Sequence, residues 1–154
     1  MDRHDVVRRS GHTERGRDGC RVPLPWARDE PGFGFSPTGA TWLPQPASWG
    51  AYALDAQVGV TGSTYELYRT ALRLRRELGL GEGSLAWVES PGAPDARVVL
   101  AFENEGVLVL ANLGAEPVRL PDGAQLLAAS GPLDASADAV LVPSDTTVWA
   151  RLAS

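Results

Sequence analysis

The sequence predicts a mainly β chain in three parts: an irregular segment rich in aromatics, Pro and Gly, then one α-helix, then an antiparallel β-sandwich. Three observations predict it. Residues 1–62 hold six of the twelve prolines and nine of the seventeen glycines, yet also Trp26, Phe33, Phe35, Trp42, Trp49 and Tyr52. Ser63-Thr64-Tyr65-Glu66 then opens an apolar stripe of helical period. From residue 84 onward, short apolar runs alternate with turn residues. The boundaries read from these changes are 1–62, 63–80 and 84–154.

The first part is neither a linker nor a common loop. Disordered chains are poor in aromatics, and sixty residues without helical or strand periodicity are too many for an ordinary connection. The segment is therefore expected to wrap over a body that supplies pockets for its rings, with Trp26, Trp42 and Trp49 as loop anchors. Six arginines fall within the first 21 residues, but Asp2, Asp5, Glu14 and Asp18 among them argue against a transit peptide or a basic arm.

The helix is expected to start at Ser63, whose hydroxyl can accept the Glu66 amide while the Glu66 side chain reaches back to Ser63. Leu67, Ala71, Leu74 and Leu78 line up at helical spacing, with Tyr68 and Leu72 beside them. Arg73, Arg75 and Arg76 suit the C-terminal end of the helix dipole, and Gly79 or Gly81 provides the stop.

Seven strands follow: 85–89, 97–103, 106–112, 118–120, 125–129, 139–142 and 146–152. Glu103-Asn104-Glu105-Gly106, Pro121-Asp122-Gly123 and Pro143-Ser144-Asp145 are the turns. In the third run Val107, Val109 and Ala111 point one way and Leu108 and Leu110 the other, so both faces are apolar, as in a central strand covered on both sides. Trp87, Phe102 and Trp149 lie within apolar runs and read as core.

Charge and cysteine usage narrow the function. The net charge is −5 and all 14 basic residues are Arg, so no Lys-rich patch exists for a phosphate backbone and no nucleic acid partner is expected. No apolar stretch approaches the roughly 18 residues of a membrane span; a cytoplasmic protein without a membrane partner is expected. Cys20 is the single cysteine, which excludes an internal disulfide. With His4 and His12 it fits no zinc-ligand spacing, and neither metal nor cofactor is expected.

The run Gly16-Arg17-Asp18-Gly19-Cys20-Arg21-Val22-Pro23-Leu24-Pro25-Trp26, then Phe33-Gly34-Phe35, Trp42-Leu43-Pro44-Gln45-Pro46, Trp49 and the Leu67-Tyr68-Arg69 and Leu74-Arg75-Arg76 helix, resembles the bacterial α-glucosidases of the α-amylase superfamily, of the oligo-1,6-glucosidase kind. Thr146-Thr147-Val148-Trp149 resembles the closing strand of their β domain. In that family this order lies after the last barrel strand. The resemblance therefore implies the C-terminal part of such an enzyme, with 63–80 as the last barrel helix and without the strands that carry the catalytic carboxylates. A (β/α)8 barrel itself needs about 250 residues.

Retaining glycosidases need two carboxyl groups about 5–5.5 Å apart, and none of the family motifs that carry them occurs here. Catalytic residues are therefore expected to be absent and the chain inactive alone. The resemblance implies a parent that hydrolyses terminal α-linked glucose from oligosaccharides with retention. It also implies a barrel, in cis or in trans, as the missing partner. An arginine of the Arg-x-Pro turn closes the terminal-sugar pocket in the family, a role that falls to Arg21, with Arg17 and Asp18 as neighbouring candidates. A guanidinium suits it, being always charged and forked. The turn departs from the commoner Arg-Thr-Pro-Met-Gln-Trp form at Val22, Leu24 and Pro25, which removes a Gln side chain from it. Two other readings stay open: a stand-alone carbohydrate-binding or interaction module, and the non-catalytic half of a split glycosidase.

Overall fold

The computed structural model describes residues 21–89, 98–135 and 139–152. They fall into two compact units, one ending at Val58 and one starting at Gly59.

Among its described residues the first unit carries little regular structure: 3-10 turns at Pro31–Gly34 and Ala47–Tyr52, and one short helix, α1 (Leu54–Gln57). Elements of four to six residues are too short to leave a period in the sequence, which is why this region reads as irregular. Among its described residues, Pro23, Gly50 and Ala53 are buried, while Trp26, Trp42 and Tyr52 stand exposed.

The second unit opens with α2 (Thr64–Glu77). The Ser63 hydroxyl accepts the Glu66 amide at 3.2 Å, as expected. The Glu66 carboxylate extends this start upstream by accepting the Gly59 amide at 2.8 Å. At the other end the Leu80 amide donates to the Arg75 carbonyl and the Gly79 amide to Arg76, with Gly79 at φ +67°. This Schellman geometry needs a left-handed residue, which explains the glycine. Replacing Ser63 with Ala removes the cap and is expected to cost about 1 kcal/mol, to be read from thermal unfolding of the whole chain.

Eight strands follow: β1 (Leu85–Trp87), β2 (Val99–Asn104), β3 (Val107–Asn112), β4 (Val118–Arg119), β5 (Gln125–Ala129), β6 (Asp134–Ala135), β7 (Val140–Val142) and β8 (Thr146–Arg151). They form an antiparallel five-stranded sheet, β1-β2-β3-β8-β5, and a three-stranded sheet, β4-β7-β6. The seven expected runs are all present. The additional strand, β6, has two residues, too few to show alternation. β3 is central, as its two apolar faces require.

Register decides which side chains share a face. On the inner face, Ala101, Leu110 and Val148 form one row and Val99, Asn112 and Thr146 another. Val99, Ala101, Leu108, Leu110 and Val148 pack there against Val118, Leu120 and Val142 of the smaller sheet and its margin. On the outer face, Trp87, Phe102, Val109, Trp149 and Ala128 lie in one row across all five strands. This corrects the reading of the three aromatics as core. Each belongs to an outer row, and Trp87 remains 69% exposed. In a run apolar on both sides, the sequence carries no parity by which to assign a face.

Helix α2 lies over the β5 and β8 end of that outer face. Leu67, Tyr68 and Ala71 line a cavity of about 200 Å³ with Ala128, Ser130, Thr147 and Trp149. The apolar stripe thus finds its cover within the β domain. Tyr68 and Leu72, beside the stripe, stay exposed.

Candidate functional site

Residues 21–28 run as a non-repetitive stretch whose backbone is held from several sides. The prolines at 23 and 25 have no N–H to give, so their carbonyls carry the contacts. The Arg21 carbonyl accepts the indole N–H of Trp42 at 2.8 Å, and the Pro23 carbonyl accepts the Gln45 side-chain amide at 3.2 Å. The Pro25 and Trp26 carbonyls accept the Leu54 and Asp55 amides, both at 3.2 Å. The Asp55 carboxylate returns to the same stretch, where both oxygens accept the Arg28 amide, at 3.1 and 3.0 Å.

A tight turn closes the far side. The amides of Trp26 and Ala27 both donate to the Phe33 carbonyl, at 2.8 and 3.0 Å. To present that carbonyl, Phe33 takes φ +51°, a region unfavourable for a bulky residue and held here by the surrounding contacts. A Cβ on Gly32 would lie 2.5 Å from the Gly39 carbonyl oxygen, and one on Gly39 would lie 2.7 Å from the Pro31 Cβ, so only glycine fits either position. Sequence reading found the aromatics and prolines of this region but missed Gln45 and Asp55 as its braces.

The clamp holds the backbone and leaves the side chains to solvent. Arg21 is exposed, and among the described residues no hydrogen bond or ion pair engages its guanidinium. Trp26 and Trp42 flank the stretch with exposed rings, the latter set edge-on to Phe35 with centroids 4.8 Å apart. Trp42 therefore anchors the loop through its N–H rather than by burial of its ring. Arg17, Asp18 and Cys20 lie outside the described residues. Among those described, no group of three or more His, Cys, Asp or Glu side chains could hold a metal ion, and no helix is long and apolar enough to cross a membrane. What the described residues offer here is an exposed arginine on an anchored backbone, with the exposed rings of Trp26 and Trp42 along the same stretch.

No family model matches the chain. A Rhizobium meliloti (strain 1021) protein named "Probable alpha-glucosidase" is 35% identical over 103 residues, which is 66% of this chain and 18% of that protein. The Drosophila virilis protein "Maltase 1" is 37% identical over 68 residues, 44% of this chain and 11% of that protein. Among solved structures, a mutant of the trehalulose synthase MutB in complex with Tris superposes with a TM-score of 0.68 at 26% identity, covering 97% of this chain and 28% of that one. The chain is a relative of the C-terminal part of the α-glucosidases of the α-amylase superfamily. The β domain with its preceding helix matches the C-terminal β domain of these enzymes in fold. The chain spans less than a fifth of the length of the curated relatives it matches.

Proposed function

We propose that this chain serves as the C-terminal part of a cytoplasmic, retaining α-glucosidase that removes terminal α-linked glucose from oligosaccharides without a cofactor, and that it is inactive by itself. The similarity to a protein named as an α-glucosidase, 35% over 103 residues, carries this reading. Arg21 is the substrate-contacting residue of this reading: its backbone is held by Trp42 and that of Pro23 by Gln45, and its exposed guanidinium is free to pair with a carboxylate of a barrel or with the hydroxyls of the terminal sugar. Arg17 and Asp18 stand next to it in sequence and serve the same pocket edge.

The test compares the chain alone with a chimera in which it replaces the matching segment of the Rhizobium meliloti relative. The chain alone is expected to leave maltose and p-nitrophenyl α-glucoside uncleaved. The chimera is expected to cleave them with retention, seen in the anomer released first by NMR. Arg21→Ala in the chimera is expected to lower kcat/KM by about 100-fold, the loss of a charged hydrogen-bonding group at the reacting sugar. Cleavage by the chain alone, or an Arg21→Ala chimera as active as its parent, would overturn the assignment.

A further inference from the structure

The turn between β4 and β5 brings together two groups that can react with one another. Pro121-Asp122-Gly123-Ala124 is closed by the Ala124 amide donating to the Pro121 carbonyl at 3.2 Å, and Gly123 stands at φ +73°. In an Asp-Gly pair the side-chain carboxyl meets the next backbone nitrogen with least hindrance, because glycine puts no Cβ beside the attacking atom. The sequence holds this pair twice, and Asp18-Gly19 lies outside the described residues.

Three features of the turn bear on that reaction. The Asp122 side chain is 83% exposed, so water reaches it. Among the described residues no hydrogen bond engages the Gly123 amide, so the nucleophile is not committed elsewhere. Against these, an Asp122 carboxylate oxygen accepts from Arg119 Nη2 at 2.6 Å, which ties the carboxyl to the end of β4 rather than to the amide that follows it. Asp55 shows the opposite case: both of its oxygens accept the Arg28 amide, and the residue after it is Ala56.

We propose that Asp122-Gly123 is a site of spontaneous aspartate isomerisation, with Arg119 as its restraint. The Gly123 nitrogen attacks the Asp122 Cγ. An N–Cγ bond forms, a Cγ–O bond breaks, and the oxygen leaves as water with the amide proton and one proton from solvent. Water then opens the cyclic imide at Cγ, which restores aspartate, or at the former backbone carbonyl, which gives isoaspartate. Nothing is oxidised or reduced, and the composition of the chain is unchanged. In the isoaspartyl form the backbone runs through Cβ and is one carbon longer. The added carbon falls between Leu120, whose buried side chain and amide on the Val140 carbonyl hold it to the smaller sheet, and Gln125, paired with Arg151 in the larger one. The change therefore accumulates with the age of the molecule in the link between the two sheets. It also frees an α-carboxyl, the group that a methyltransferase specific for isoaspartyl residues esterifies.

The test ages the full 154-residue chain at neutral pH and body temperature for several weeks. Isoaspartyl methyltransferase with labelled S-adenosylmethionine is the probe, and peptide mapping locates the label. Asp-N protease, which cuts before aspartate and not before isoaspartate, gives a second readout. Wild type is expected to gain label on the peptide holding Asp122 and to lose cleavage before that residue in step. Asp122→Glu, whose ring is larger and slower to form, is expected to lose the label at this peptide. Arg119→Ala is expected to isomerise about two- to five-fold faster, the factor that an exposed ion pair is worth. Should that variant shift the thermal melt, wild type in high salt replaces it: screening of the exposed pair is expected to speed the folded chain and to leave a synthetic peptide of residues 120–125 unchanged. A folded wild type that stays unlabelled at this peptide overturns the site, as does label that persists there in Asp122→Glu. A rate in the folded chain that neither Arg119→Ala nor high salt raises overturns the role given to Arg119.

Discussion

Asn112→Ala is expected to destabilise the β domain by about 3 kcal/mol or more, lowering the melting temperature by roughly 12–24 °C. Asn112 is fully buried at the inner end of β3. Its Nδ2 donates to the carbonyls of Glu116 and Val142, at 2.9 and 3.0 Å, and its Oδ1 accepts the Gly114 amide at 3.0 Å. One side chain thereby fastens the loop that leaves the larger sheet and ties that sheet to β7 of the smaller one. Alanine leaves three backbone groups without partners, each costing about 1–3 kcal/mol if it stays buried. Asn112→Asp keeps the volume but turns an acceptor toward the two carbonyls, so it is expected to be at least as harmful. A thermal melt of the 154-residue chain measures both. If either variant melts within a few degrees of wild type, the two sheets are joined by something other than this amide.

Leu110→Ala is expected to cost about 3 kcal/mol, within the range for a buried leucine truncated without collapse of its site. Leu110 is 1% exposed and packs against core residues contributed by both sheets. Leu100→Ala, one strand away on the outer face, is expected to change stability by less than about 1 kcal/mol. The two substitutions delete the same atoms, so their difference isolates the face. Chemical denaturation curves with parallel slopes but midpoints shifted only for Leu110 would bear this out. Equal shifts would mean that the outer face is packed in the folded chain.

Much of the fold was legible because local rules agree. Ser63 and Glu66 mark the helix start, Gly79 marks its stop, and the alternation of Val107 to Asn112 identifies the middle of a sheet. Legibility failed wherever a contact spans sequence or parity is silent. Trp87, Phe102 and Trp149 could be assigned to the core because each sits among apolar neighbours on both sides. Only register shows that they share the outer row. Asn112 reads only as the last residue of a strand, yet its partner at Val142 is 30 positions away. At the candidate site a motif singles out Arg21, and Trp42 reads as a loop anchor, but no local signal shows that Trp42 holds the Arg21 carbonyl from 21 positions downstream or that Gln45 holds the Pro23 carbonyl from 22. The left-handed Phe33 is set by the double hydrogen bond its carbonyl must accept, which no propensity of phenylalanine encodes.

The place of β8 in the larger sheet has a consequence for synthesis. The last strand described is an interior one, lying between β3 and β5. Until it leaves the ribosome, β3 lacks one neighbour and β5 its partner in the sheet, so Leu110 waits for Val148. At about 5–20 residues per second that delay is several seconds, long compared with hairpin closure in about 1–10 μs. The β2–β3 hairpin can form early but cannot be covered early, and its apolar faces stay open to chaperones or to neighbouring nascent chains. A message cut short before Thr146 yields a polypeptide without Val148 and without the strand that joins β3 to β5, so the rest of the core has nothing to close it.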